Sequence, residues 1–146
     1  MGQYHKAMNL DKMEMVSPYP LGLGAKQWEQ VACPASMGDV LYVLLTASPA
    51  RGGGDLDYWE HITGRWVGDR VVIVGDYTED TDIPKSPMPA SELYGSEFFL
   101  DISEEVAEAI GGIFGYQYVG EGWKDRLPDP NHFLHKETNP VSVTNS

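Results

Sequence analysis

Three of the chain's four arginines, Arg51, Arg65 and Arg70, stand within twenty residues of one another among Gly52, Gly53, Gly54, Gly64 and Gly68. Guanidinium forks match the geometry of phosphate and carboxylate, and glycine lets backbone N–H groups come close to an anion. Tyr58, Trp59 or Trp66 would stack on a base. The stretch therefore points to an anion or nucleotide pocket with Arg51, Gly53, Trp59, Arg65, Trp66 and Arg70 as its ligand-binding residues. The competing reading is a set of ion pairs, because Asp55, Asp57 and Asp69 lie beside the same arginines and no GxGxxG or P-loop Lys-Ser/Thr accompanies them.

Other chemistry is thinner. His61 follows Asp57 and precedes Asp76, which gives an acid–base set for a small hydrolase or transferase, but no nucleophile motif such as GxSxG occurs. Asp76, Thr78, Asp80 and Asp82 alternate like the first half of a calcium loop. The pattern then breaks, with Thr81 at the turn position that needs glycine and Pro87 where the closing glutamate belongs. No metal site is expected from Asp76, Asp80 and Asp82, and none from His132 and His135, which lack a third ligand. His5 reads as a strand residue. No cofactor motif is present.

Composition narrows the partners. The chain has 146 residues, 42% apolar and 22% charged, in the range of ordinary globular domains. Its net charge is −12, and between Val71 and Trp123 eleven acids face one base, Lys85. Direct nucleic-acid binding through that face is opposed, since Lys and Arg contacts to phosphate supply most such affinity. A protein partner or a small anionic ligand remains, with the oligomeric state open. No apolar run reaches the ~20 residues of a membrane span, and the single Cys33 suits a reducing compartment; a cytoplasmic protein is expected.

The elements that must position these residues follow from patterning. Gln3–Leu10 and Met13–Ser17 read as a hairpin around Asn9-Leu10-Asp11-Lys12. Ala25–Ala32 reads as a short helix with Trp28, Val31 and Ala32 on one face. Val40–Thr46, VLYVLLT, is the most apolar stretch, and its length between Gly38-Asp39 and Ser48-Pro49 predicts a buried strand. Val71–Val74 is a continuous β-branched run, predicting a central strand. Glu97–Ile102 reads as a further strand and Glu104–Ile113 as a helix with Val106, Ala109, Ile110 and Ile113 on its apolar face. Ser91–Tyr94 suits one helical turn and Tyr116–Val119 a last short strand. The fold expected is α+β: one compact domain over 1–126, a mostly antiparallel sheet packed by two short helices, with a Pro-rich arm or tail over 127–146.

Three separated blocks, MGQYHKAMNLDK, RGGGDLD and GRWVGDRVVIVGDYTED, give the chain a resemblance over about residues 1–115 to a family of small uncharacterised proteins common in bacteriophages and actinobacteria. The resemblance implies no reaction. Leu23 departs from the pattern at a position where the family carries an acid, and so does the long C-terminal arm. The function expected is a small non-enzymatic binding protein, of phage accessory type, acting on a host protein or a nucleotide-like anion. The alternatives are the His61 enzyme and a structural or self-assembling protein.

Overall fold

In the computed structural model, which describes residues 3–22, 24–31, 35–49, 51–53 and 61–114, the chain begins with the expected hairpin. β1 (His5–Asn9) runs antiparallel to β2 (Glu14–Val16), with Ala7 opposite Val16 and Asn9 opposite Glu14. Asn9 builds the turn. Its Oδ1 accepts the N–H groups of Asp11 (2.9 Å) and Lys12 (2.8 Å), and Met13 turns back with φ 57°; a short amide side chain imitating a backbone turn is the reason Asn is favoured here.

The next two elements are helices, α1 (Gln27–Val31) and α2 (Met37–Leu44). α2 corrects the expected strand over Val40–Thr46. Met37, Val40, Val43 and Leu44 are buried while Tyr42 and Leu45 face out, a helical rather than an alternating pattern. The helix starts upstream of the stretch that looked bounded. Ser36 stands at its N-cap position, and three residues later the Asp39 carboxylate reaches back to the Ala35 N–H at 2.6 Å. Gly38-Asp39, the expected boundary of a strand, therefore lies in the first turn of the helix.

Residues 61–70 dock on the far end of α2. Gly64 N–H donates to the Val43 carbonyl and Trp66 N–H to the Leu44 carbonyl, both at 2.9 Å. They satisfy acceptors that a helix C-terminus leaves open. Gly64 has φ 79°, and a Cβ there would lie 2.9 Å from the Thr46 carbonyl oxygen, so only glycine fits.

β3 (Val71–Gly75) and β4 (Leu100–Asp101) complete a four-stranded sheet of order β3-β1-β2-β4. β3 is antiparallel to β1 and β4 parallel to β2, so the sheet is mostly antiparallel and the fold is α+β. β3 is the terminal strand, not the central one expected. Val71 and Val72 are half-buried and Ile73 is 45% exposed; β-branched residues suit any pleated strand and do not by themselves report burial on both faces. β4 is shorter than the expected Glu97–Ile102. Ala90–Glu92 forms a 3-10 turn that overlaps the predicted turn Ser91–Tyr94, and α3 (Ser103–Phe114) contains the predicted helix.

Both faces of the sheet are covered. On one side Ala7 and Val16 pack with Leu44, Ile62, Trp66, Val106 and Ile110; on the other Met8, Met15 and Val74 pack with Leu93 and Phe99. Tyr116–Val119, Cys33, and the 127–146 arm with His132 and His135 lie outside the described residues. No helix among the described residues is long and apolar enough to cross a membrane.

Candidate functional site

Two of the three arginines are engaged by acids of the hairpin, far away in sequence. Arg65 grips Glu14 with a two-point fork, Nε to Oε1 at 3.1 Å and Nη2 to Oε2 at 2.7 Å, and reaches Glu105 from Nη1 at 3.2 Å. The indole N–H of Trp66 donates to the same Glu14 Oε1 at 2.8 Å. Burial pushes the Glu14 carboxyl up, but the hydrogen bonds from Arg65 and Trp66, with the Arg65 charge, outweigh it and hold the group below the usual carboxylate range. Glu14 in turn raises the Arg65 guanidinium. Arg70 donates from Nε to Asp11 Oδ1 at 2.8 Å and from its backbone N–H to Oδ2 at 2.6 Å, which lowers the Asp11 carboxyl.

None of the five described ligand candidates, Arg51, Gly53, Arg65, Trp66 and Arg70, lines the three pockets described below. Trp66 is fully buried, so no face of it can stack on a base. Arg65 and Arg70 serve separate acids. Arg51 and Gly53 stand exposed on the short stretch 51–53, where a side chain added at Gly53 would meet nothing within 4 Å. Trp59 lies outside the described residues, as does Asp57 of the acid–base set.

His61 is exposed, with Nε2 3.8 Å from Glu105 Oε2, and that carboxylate already serves Arg65. Asp76, the other acid, accepts the Tyr4 N–H at 2.9 Å. Asp80 accepts the Ser91 N–H and Asp82 the Glu79 N–H, each at 2.9 Å. Each of these three acids thus takes a different backbone donor. No group of three or more His, Cys, Asp or Glu side chains among the described residues is placed to hold a metal.

The structure instead brings together a groove that the sequence did not announce. α1 is inverted relative to an ordinary surface helix. Trp28 is 81% exposed and Val31 63%, whereas Gln30 is buried. Gln30 turns inward because its amide donates to the carbonyls of Ala25 (2.5 Å) and His5 (3.2 Å), while the His5 N–H donates to Ala25 at 2.7 Å. These bonds tie α1 to the start of β1 and leave its apolar face outward.

Between α1, α2 and β3 lies a pocket of about 410 Å³ walled by Trp28, Val31, Met37, Leu41 and Ile73, with His5, Gln27 and Gln30 as its polar members. His5 is 7% exposed, and its Nδ1 has no hydrogen-bond partner among the described residues. Buried polar atoms are nearly always paired, and this one belongs to a residue that lines an open pocket. A second pocket of about 390 Å³ shares His5, Gln27 and Ile73 and runs on to Tyr77, Thr78 and Asp82. A third shares Gly38 and Leu41 and ends at Tyr42, Leu45 and Ser48. The three share lining residues and form one trough beside β3, with no Lys or Arg among the described residues of its walls.

Compared with protein families, with curated proteins and with solved structures, the chain matches none. The chemistry of the groove is accordingly read from its own residues. Periodicity found α1 but not which way it faces, and His5 was correctly a strand residue whose orphan nitrogen is a tertiary fact. The available signal was Trp28 and Val31 on a helix too short to bury them.

Proposed function

We propose that the protein is a non-enzymatic binding protein that captures a partner protein by seating an aromatic side chain bearing a hydroxyl, tyrosine being the natural case, in the pocket above His5. The observation that carries this reading is an open apolar pocket lined by His5, a residue whose buried Nδ1 has no partner among the described residues and would meet a ligand once the ring turns toward the pocket. A phenolic hydroxyl both donates and accepts, so it satisfies that nitrogen in either tautomer. From the pocket walls Trp28 and Val31 the apolar surface extends to Tyr42 and Leu45, all four 43% to 81% exposed; a contiguous patch of this kind marks a protein interface more than a small-molecule site.

Charge selects the partner's surroundings. The chain carries a net −12 and the trough wall holds Asp82, so a partner with basic residues around its aromatic anchor is favoured. A nucleotide-like anion is disfavoured, since Arg65 and Arg70 already hold carboxylates and the trough offers no cation beyond histidine. In the phage-type setting that the sequence resemblance implies, this is a cytoplasmic accessory protein acting on a host protein.

The test uses N-acetyltyrosinamide and N-acetylphenylalaninamide as probes of the pocket, followed by NMR of the full chain. At about 0.3 kcal/mol per heavy atom the tyrosine probe should bind with a dissociation constant on the order of 1 mM. Its shifts should centre on His5, Leu41 and Ile73, and the phenylalanine probe should bind about fivefold more weakly because it leaves the nitrogen unpaired. Equal affinities would remove His5 from the reading, and no shifts at His5, Leu41 and Ile73 with either probe would overturn it.

A further inference from the structure

The outer edge of β3, whose Ile73 also walls the groove, is open to a further strand among the described residues. Leu10 N–H donates to the Arg70 carbonyl at 2.8 Å and Asp76 N–H to the Tyr4 carbonyl at 3.1 Å, on either side of a ladder that sets Lys6 opposite Val74 and Met8 opposite Val72. In an antiparallel pair, alternate residues exchange bonds. The bonded pairs are therefore Lys6–Val74 and Met8–Val72, and Val71, Ile73 and Gly75 turn their N–H and C=O groups away from β1. Gly75 fits this placement, since its N–H is taken by Thr78 Oγ1 at 2.8 Å. No strand among the described residues pairs with this edge. It also lacks the lysines, prolines and bulges by which natural sheets protect an edge.

The sequence of the edge is self-complementary. Arg70-Val-Val-Ile-Val-Gly-Asp76 begins with a cation and ends with an anion, symmetrically about Ile73. Laid antiparallel on itself, Ile73 meets Ile73, the Val71 N–H meets the Gly75 carbonyl, and Arg70 meets Asp76 at both ends. Arg70 and Asp76 fall at non-hydrogen-bonded positions, where opposed Cα atoms come within about 4.5 Å and side chains approach most closely. Arg70 uses Nε on Asp11 and Nη1 on the Lys85 carbonyl, neither bond involving Nη2. Asp76 has Oδ1 on the Tyr4 N–H.

We propose that two copies of the chain join edge to edge through β3, antiparallel about a dyad at Ile73, and fuse their four-stranded sheets into one of eight. The contact is isologous, as closed dimers are. It is short and each copy carries a net −12, so the dimer is weak, with a dissociation constant on the order of 100 µM. Both copies keep their helices on the same side of the fused sheet, and the two grooves open toward the dyad.

Sedimentation equilibrium of the full chain from about 5 µM to about 1 mM tests this, beside hydrogen exchange at Val71 and Ile73. The expected result is a monomer–dimer equilibrium with exchange at both amides slowing as concentration rises. Asp76→Arg leaves the Arg70–Asp11 pair intact, opposes like charges twice across the dyad, and should weaken dimerisation at least about tenfold. Arg70→Asp should do the same. The double variant restores both pairs and should return within about threefold of wild type, with circular dichroism confirming that all four proteins are folded. Monomer mass throughout overturns the proposal, whether the two amides exchange freely or are protected by another part of the same chain. So does a dimer indifferent to the charge exchange. Neither Arg70 nor Asp76 lines the pocket above His5, so loss of the dimer in these variants is read separately from binding in that pocket.

Discussion

Glu14 is the residue whose loss the structure makes most expensive for its size, and Glu14→Ala is the substitution that measures it. The carboxylate accepts two bonds from Arg65 and one from the buried Trp66 indole, with its side chain 11% exposed. Removing it strands the Trp66 N–H in the core, at about 1–3 kcal/mol. It also breaks an ion pair of a kind worth about 3–5 kcal/mol when fully buried. Arg65 is 22% exposed and keeps Glu105 at 3.2 Å, so only a part of that second cost applies. The sum is about 2–4 kcal/mol, or a fall in Tm of about 6–15 °C for a chain of this length. Glu14→Gln keeps an acceptor for Trp66 and loses the charge, and should cost about half as much. Its use lies in pH. Because the folded-state pKa of Glu14 lies below its unfolded value of about 4.3, its stabilising contribution is fully present above that value. It disappears as pH falls through the folded pKa. Urea unfolding of wild type and Glu14→Gln from pH 7 to pH 3 should therefore give curves that converge in acid. A Glu14→Ala protein within about 0.5 kcal/mol of wild type, or a wild-type to Glu14→Gln gap that ignores pH, would refute the reasoning.

Three further outcomes follow from local geometry. Gly64→Ala should cost about 2–3 kcal/mol, because the left-handed backbone and a Cβ 2.9 Å from the Thr46 carbonyl act together. Gly68→Ala, with φ 83° and nothing within 4 Å, should cost only about 1 kcal/mol, and equal losses in thermal unfolding would show that the contact is immaterial. Asp39→Ala should cost about 1 kcal/mol by freeing the Ala35 N–H at the start of α2, read by the same unfolding assay. Trp28→Ala should leave stability within about 0.5 kcal/mol of wild type while weakening the N-acetyltyrosinamide interaction at least about fivefold, a separation that the NMR titration and a melt together establish.

The elements legible in the sequence are those whose causes are local. Asn9 carries its turn in its own side chain, and Val106, Ala109, Ile110 and Ile113 repeat at the helical period of α3, so both were placed from residue types alone. α2 was misread because an apolar run has no period of its own. The deciding signals were upstream, in Ser36-x-x-Asp39 and in the spacing of Met37, Val40 and Leu44. β3 was placed correctly as a strand but at the wrong position in the sheet, since four β-branched residues look alike at an edge and in the centre. The site was less legible still. Arg65 and Arg70 offered a plausible anion pocket because their partners, Glu14 and Asp11, are 51 and 59 positions away, beyond any spacing argument.

The inversion of α1 links the fold to its proposed use. A five-residue helix cannot hold itself together by its own hydrogen bonds, and here the usual remedy, burying an apolar face, is not applied. The Gln30 amide supplies the attachment instead, donating to the carbonyls of Ala25 and His5, the first of which also accepts the His5 N–H. Polar bonds thus fix the element, and the transfer free energy of Trp28 and Val31 is left unspent in folding. Fully burying side chains of this kind is worth about 1.5–3 kcal/mol each, a sum large enough to decide whether a partner stays bound and small enough to keep the free chain folded without one. The same logic explains why Gln30 is inside: an apolar residue there would take the Gln30 donor from the His5 carbonyl and leave the Ala25 carbonyl with the His5 N–H alone, so the helix that walls the groove leans on this amide.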